Sequence, residues 1–287
     1  MEGLYGESRK YGKRINQIDM NEVIFLLEKD NACQTNYFDG IITILNQRIS
    51  DYSIIITADY KSLPATQYKK IVILVAEDGE KFGLRPYTTY PDVLAVFRFY
   101  SFEWGYDNEY VFPIPIGYNC RTDGHTMIRM YPEKKMSERE YDIFYSGQVL
   151  PWREELARKL EELRMSFNIF SQVNPTFRTG LDIDDYYRCL GNSKICVVPD
   201  GASTDTFRYV EACGSGCAII TTHKPDLWYY CNAPIFYVNN WGELTKEFAA
   251  NILNKNLDVI QNNIIKYYNE YLSEETVANY ILRCLKL

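Results

Sequence analysis

The chain has 287 residues, of which 46% are hydrophobic, and a formal net charge of −7 at neutral pH. That length suits two domains of roughly 100 to 150 residues, and the apolar content excludes a disordered polymer. An acidic balance with no long Lys/Arg run excludes nucleic acid as the expected partner, because that binding is driven by phosphate neutralisation.

In the first half, short aliphatic runs bounded by polar residues or Pro predict strands over residues 23–27, 53–57, 71–76, 93–99 and 111–116. A polar loop over 29–40 and an apolar helix over 41–49 complete the first β-α unit. Continuous apolar runs favour a parallel sheet covered on both faces. Residues 117–140 are charged, contain two glycines and one Pro and show little periodicity, so the interdomain linker is placed there.

The second half opens with a strand over 141–145, the triplet Ser146-Gly147-Gln148 and a charged helix over 153–163. A strand over 167–170, a loop to Gly180, a helix over 184–190 and a strand over 195–198 follow. Asp200 to Asp205 form a loop of small polar residues, and a helix begins near Thr206. Gly214 and Gly216 end that helix and release a strand over 217–221. A strand over 235–238 and helices from Trp241 onward complete the chain, the last over 273–285 behind the cap Ser273-Glu274-Glu275-Thr276. Strands alternating with helices predict an α/β protein with two doubly wound, Rossmann-like sheets facing a central cleft. The division is residues 1–125, residues 126–272 and a terminal helix over 273–287 that packs back on the first domain.

The stretch from Lys194 to Thr221 carries the clearest chemistry. Backbone N–H groups at a helix start are unpaired and partly positive, which makes an anion site. Gly201, Ser203, Thr204, Asp205 and Thr206 lie at that start, with three hydroxyls among them, and Arg208 sits in the first turn. Glu211, three residues on, occupies a neighbouring face, positioned to accept from a pair of sugar hydroxyls. An Arg and a Glu so spaced are also an ordinary surface ion pair. In Ser146-Gly147-Gln148, between a strand and a helix, glycine lets the backbone approach a diphosphate closely. Glu77-Asp78-Gly79-Glu80 follows the strand 71–76, so a carboxylate there faces the cleft and can act as a general base.

Pro199-Asp200-Gly201, the Ser/Thr-rich loop, Thr206-Phe207-Arg208-Tyr209-Val210-Glu211-Ala212 and Gly216-Cys217-Ala218-Ile219-Ile220 together resemble the donor-nucleotide signature of the exostosin-like glycosyltransferases. Glu77-Asp78, Arg98-Phe99-Tyr100 and Pro115-Ile116-Gly117-Tyr118 extend the resemblance and make it similar to xylosyltransferase-like members. The resemblance implies the GT-B architecture and an inverting transfer from a UDP-sugar, with xylose preferred, to the hydroxyl of an oligosaccharide or glycoprotein glycan. It places the donor in the second domain and the acceptor in the first. Glu211 would bind the ribose, and Arg208, Thr206 and the turn at Gly147 the diphosphate, with Arg153 as a second cation. Ser171 and Asn174 would lie beside the base, while Glu80, Arg98 and Tyr100 would meet the acceptor. The family pair often reads Asp-Glu, which leaves Glu77, Asp78 and Glu80 all open as the base.

Two arginines on a leaving diphosphate would do the work of a metal ion, so no metal and no other cofactor is expected. Asp182, Asp184 and Asp185 superficially resemble a metal-binding D-x-D, but they introduce an apolar helix and read as its cap. Of the two histidines, His125 lies in the linker region and His223 follows the strand ending at Thr221; each is a candidate for the cleft or an ordinary surface residue. Eight cysteines without a C-x-x-C pair read as reduced core residues. No apolar run approaches the roughly 20 residues that span a bilayer, and the first residues lack a signal-peptide core, so a cytoplasmic location is expected. An alternative reading is a noncatalytic nucleotide- or sugar-binding protein of the same fold, acting as partner to another transferase.

Overall fold

Where the sequence alternates short aliphatic runs with amphipathic segments, the computed structural model of the protein folds into two five-stranded, wholly parallel sheets. It describes residues 21–26, 35–57, 63–74, 90–99, 110–118, 133–148, 150–174, 180–201 and 203–287. The first sheet contains β1 (Asn21–Phe25), β2 (Tyr52–Thr57), β3 (Lys69–Leu74), β4 (Val93–Arg98) and β5 (Val111–Pro113), side by side in chain order. Helix α1 (Thr35–Arg48) connects β1 to β2.

In β2, Ile54 and Ile56 point to the face that holds Tyr37, Phe38 and Ile41 of α1. Ile55 points to the other face, with Val72, Val96 and Val111. Both faces are therefore apolar, which is why these strands read as unbroken hydrophobic runs rather than alternating ones.

The second sheet is built from β6 (Tyr141–Gln148), β7 (Ile169–Asn174), β8 (Ser193–Val198), β9 (Ala218–Thr221) and β10 (Ile235–Tyr237), in the order β10-β9-β8-β6-β7. After β7 the chain crosses back over β6 to start β8, so the order reverses at the β6–β8 pair. A parallel sheet opens a crevice at such a reversal, beyond the carboxyl ends of its strands. Helices α2 (Glu154–Leu163), α3 (Ile183–Gly191) and α4 (Phe207–Gly214) are the crossovers, and α5 (Lys246–Leu253), α6 (Leu257–Tyr267) and α7 (Glu274–Cys284) follow β10.

Several boundaries shift from those expected. Strand β6 continues through Ser146, Gly147 and Gln148, and β7 runs from Ile169 to Asn174 rather than over 167–170. The two strands pair in register from Ile143↔Ile169 to Gln148↔Asn174, so backbone pairing carries the polar residues into the ladder. The charged helix begins at Glu154, because Pro151–Arg153 form a single 3₁₀ turn.

Helix termini follow local chemistry. Asp182 caps α3 by accepting from the Asp185 backbone N–H at 2.7 Å, and Ser273 caps α7 by accepting from Thr276 N–H. Helix α4 ends in a Schellman motif: Cys217 N–H reaches the Ala212 carbonyl, Gly216 N–H reaches that of Cys213, and Gly216 has φ +62°.

One core cluster spans both sheets. It joins Tyr37, Ile54 and Phe97 to Phe144, Val198, Val210, Ile264, Leu272 and Val277. Helix α7 lies on α1, where Arg48 reaches Asn279 and Glu275. Polar ties cross the same seam: Tyr37 OH donates to the Leu272 carbonyl (2.7 Å), Tyr118 OH to Glu274 (2.7 Å) and Trp228 Nε1 to the Pro113 carbonyl (2.8 Å). Among the described residues no helix is long and apolar enough to cross a membrane.

Candidate functional site

The β6–β8 reversal brings together most of the residues singled out in the second half. Ser146, Gly147 and Gln148 end β6; Pro199, Asp200 and Gly201 leave β8; Ser203, Thr204, Asp205 and Thr206 lead into α4. Gly201 N–H donates to the Ser203 carbonyl (2.8 Å), which folds the loop tightly before the helix. Thr206 takes the extended N-cap conformation, yet its side chain makes no capping bond.

Three buried polar atoms at this helix start have no hydrogen-bond partner: Thr204 Oγ1, Thr206 Oγ1 and Arg208 Nε. A buried polar group left unpaired costs about 1–3 kcal/mol, and three of them fall within five residues of this helix start.

Arg208 is held by its other end. Its guanidinium donates to the Ser146 carbonyl and lies over the Tyr145 ring, 5.3 Å from the centroid. Burial disfavours its charge, but Tyr186, Tyr145, Cys196 and Glu211 around it more than compensate, and its pKa is raised. Gly147 makes this close packing possible, since a Cβ there would stand 2.9 Å from the Tyr145 hydroxyl and 3.0 Å from Arg208 Nη2.

Arg153 does not project freely from a helix start. It is 8% exposed and donates from Nε and Nη2 to the Asp200 carbonyl (3.0 and 2.6 Å) and from Nη1 to that of Gln148 (3.4 Å), clamping the ends of β8 and β6 together. Its pKa is lowered, first by burial and also by the Arg208 charge, with Tyr145 opposing. The two guanidiniums therefore share one positive locale, with Arg208 the one that keeps an unpartnered donor.

Other expected donor residues have partners within the protein. The Asp205 carboxylate is 3% exposed and accepts from both Tyr229 OH (2.9 Å) and Tyr230 OH, so it orders the loop rather than meeting a ligand. Glu211, also 3% exposed, accepts from Tyr186 OH at 2.6 Å. Tyr186 itself packs edge-on against Phe144. Ser171 Oγ accepts from Arg164 (2.5 Å). Ser171 and Asn174 sit within β7, and Asn174 lies against Gly180.

In the first sheet, Arg98 ends β4 with its side chain 2% exposed and Nε donating to the Phe99 carbonyl (3.1 Å). Gly117 adopts φ +78° against the Tyr37 ring, and Tyr118 turns to α7 rather than to the crevice. Glu77, Asp78, Glu80, Tyr100 and His125 lie outside the described residues; His223 is exposed. Of the described cysteines, Cys189, Cys196, Cys213 and Cys217 are buried, as a core reading requires, whereas Cys231 is exposed.

The sequence reading missed Lys224. It lies just past β9 with its side chain fully buried, and Nζ donates to Asp200 Oδ1 (2.8 Å) and the Thr204 carbonyl (2.6 Å). Thr222 Oγ1 donates to the other Asp200 oxygen at 3.1 Å. The only signal was position: β9 lies beside β8, with Thr221 opposite Val198, so residues just after β9 meet residues just after β8.

With this geometry in hand, likeness to solved structures becomes informative. The chain matches an α1,3-fucosyltransferase with GDP-fucose at a TM-score of 0.53 and 10% identity, covering 99% of this chain and 94% of that one. The fold is GT-B. AviGT4, a glycosyltransferase involved in avilamycin A biosynthesis, matches with a TM-score of 0.51 and 10% identity over 93% of this chain and 97% of that one. TarM of S. aureus, solved with fondaparinux, α-GlcNAc-glycerol and UDP, matches with a TM-score of 0.51 and 13% identity over 86% of this chain and 58% of that one. No protein-family model and no curated protein matches the sequence.

Proposed function

We propose that the protein is a glycosyltransferase that moves a sugar from a UDP-sugar to a glycan hydroxyl with inversion and without a divalent metal. The observation that carries this is the trio of buried, unpartnered groups on Thr204, Thr206 and Arg208 at the N-terminus of α4, beside the strand-order reversal of a GT-B sheet. A diphosphate satisfies all three at once, and the helix start favours its charge.

In this reading Arg208 stabilises the negative charge that grows on the leaving diphosphate, and Arg153 holds the two strand ends and adds positive potential. Gly147, whose missing side chain lets Tyr145 and Arg208 pack close, and Gly201 lie beside the phosphates. Glu211, its carboxylate oriented by Tyr186, accepts from the ribose hydroxyls, and Ser171 and Asn174 border the base.

The acceptor arrives from the first sheet, near Glu80, Arg98 and Tyr100. A carboxylate of Glu77, Asp78 or Glu80 takes its hydroxyl proton. The acceptor oxygen then bonds to the anomeric carbon from the face opposite the diphosphate, and the bond to the diphosphate oxygen breaks with its electron pair. Resemblance to xylosyltransferase-like sequences favours xylose, a pentose that needs a smaller pocket than a hexose.

The test is a panel of UDP-xylose, UDP-galactose, UDP-glucuronic acid, UDP-arabinose and GDP-fucose, each with EDTA and an oligosaccharide library. Nucleoside diphosphate release, product mass and anomeric configuration by NMR are read for each. One UDP-sugar consumed with inverted configuration is expected. Release only with added metal, or product of retained configuration, overturns the mechanism. Binding of UDP with no turnover of any donor favours the noncatalytic reading.

A further inference from the structure

Lys224 is out of place energetically. A fully buried ammonium paired with one carboxylate rarely repays its desolvation, and an apolar residue of similar volume would serve stability as well or better. What this one does is geometric: it ties the two ends of the 200–205 loop, binding the Asp200 carboxylate at one end and the Thr204 carbonyl at the other. Further groups brace the same ends. Thr222 shares the Asp200 carboxylate, Arg153 holds the Asp200 carbonyl, and Tyr229 and Tyr230 hold Asp205. The Lys224 ammonium lies 6.0 Å from the centroid of the Tyr230 ring, so the two bracing sets meet. Between the braced ends sits Thr204, whose hydroxyl is buried and unsatisfied, followed by Thr206 with the same property.

We propose that Lys224, paired with Asp200, is a positioning residue for the nucleoside diphosphate: it fixes the 200–205 loop so that the Thr204 and Thr206 hydroxyls and Arg208 Nε converge on one anion. This rests on the donor-site reading above. Lys224 does not itself meet the phosphate, because its charge is committed to Asp200 and its ammonium to the loop. Lys224 and Asp200 therefore act as a unit, and removing either loosens the loop to the same degree.

Titration calorimetry with UDP and GDP, together with donor turnover, tests this on the wild-type protein and on Lys224→Met, Asp200→Asn and the double variant. Losing one hydrogen bond to a charged diphosphate costs about 10- to 100-fold in affinity. Lys224→Met is therefore expected to weaken nucleoside diphosphate binding by about 10- to 100-fold. Asp200→Asn should weaken it comparably, and the double variant should be no worse than either single one. The loss should appear mainly in the donor KM, and Lys224→Arg, which can span the same two acceptors, should recover part of it. Asp200→Asn that binds as well as or better than the wild type would overturn the positioning role, because a freed lysine would then be acting on the phosphate directly. Lys224→Met with wild-type affinity would overturn it also. Should Lys224→Met fail to fold, the comparison of Asp200→Asn with the double variant decides alone, since both lack the Asp200 charge. A wild-type protein that binds neither nucleotide removes this inference together with the donor-site reading, whereas wild-type binding with unaffected variants removes this inference only.

Discussion

Replacing Arg208 by Ala separates a catalytic role from a structural one, because the two effects differ in size. In the free protein alanine forfeits the charged bond to the Ser146 carbonyl, about 1.5–3 kcal/mol, and the position over the Tyr145 ring, about 0.5–2 kcal/mol. It also removes a buried guanidinium whose Nε has no partner, which returns about 1–3 kcal/mol. The terms largely cancel. A net loss of about 1–2 kcal/mol shifts Tm by roughly 2–8 °C in a chain of this size. In the transition state nothing offsets the loss, and one preorganised donor on a developing anion is worth about 2.7–4 kcal/mol, or 10²- to 10³-fold in kcat. The assay is the initial rate of nucleoside diphosphate release at saturating donor, run below the Tm of the variant and beside a thermal unfolding curve. A variant that stays folded and turns over within about threefold of wild type, under 1 kcal/mol of barrier, refutes the reasoning.

Other outcomes follow from the same geometry. Gly147→Ala introduces a Cβ at 2.9–3.0 Å from the Tyr145 hydroxyl and Arg208 Nη2, so it should displace Arg208 and weaken nucleoside diphosphate binding while leaving the circular dichroism spectrum unchanged; calorimetry decides, and unchanged affinity counts against the packing. Asp205→Ala leaves two buried tyrosine hydroxyls without their acceptor, a loss of about 2–6 kcal/mol that a denaturant titration would register; a change below 1 kcal/mol would mean that the loop is held elsewhere. Tyr186, Tyr209, Tyr230 and Tyr267 all have pKa values raised, first by burial. Above about pH 10 the unfolded chain releases protons that the native protein retains, so stability is intact below that pH and falls as pH rises, by up to about 1.4 kcal/mol per unit for each phenol. Phenolate absorbance at 295 nm should rise in two stages, an exposed fraction with the far-UV circular dichroism unchanged and a buried fraction together with its loss; ionisation of all the tyrosines near pH 10 with a native spectrum would contradict the burial.

How much of this was legible in the sequence depended on whether a feature is local. The strand over 195–198, the helix start at Thr206, the glycine-terminated end of α4 and the Asp182 and Ser273 caps were readable because each is decided by a few neighbouring residues. Ser146-Gly147-Gln148 looked like a turn because small polar residues leave strands by composition, yet pairing with Ser171–Asn174 keeps them in β6. Arg153 and Arg208 were legible as cations but not in their division of labour, which depends on carbonyls brought to them by strand order. The tyrosine partners of Asp205 and Glu211 were not legible, because they lie 24 and 25 residues away. Lys224 is invisible for the same reason, since its role exists only once β9 is placed beside β8. Glu77, Asp78, Glu80 and Tyr100 lie outside the described residues and stay as the sequence left them.

The most direct test of the account is a crystal structure of the wild-type protein with UDP. The account predicts diphosphate oxygens within hydrogen-bond distance, about 2.7–3.2 Å, of Thr204 Oγ1, Thr206 Oγ1 and Arg208 Nε, with Lys224 still on Asp200 and Thr204. A nucleotide bound elsewhere, with those three groups still buried and unpaired, would contradict it.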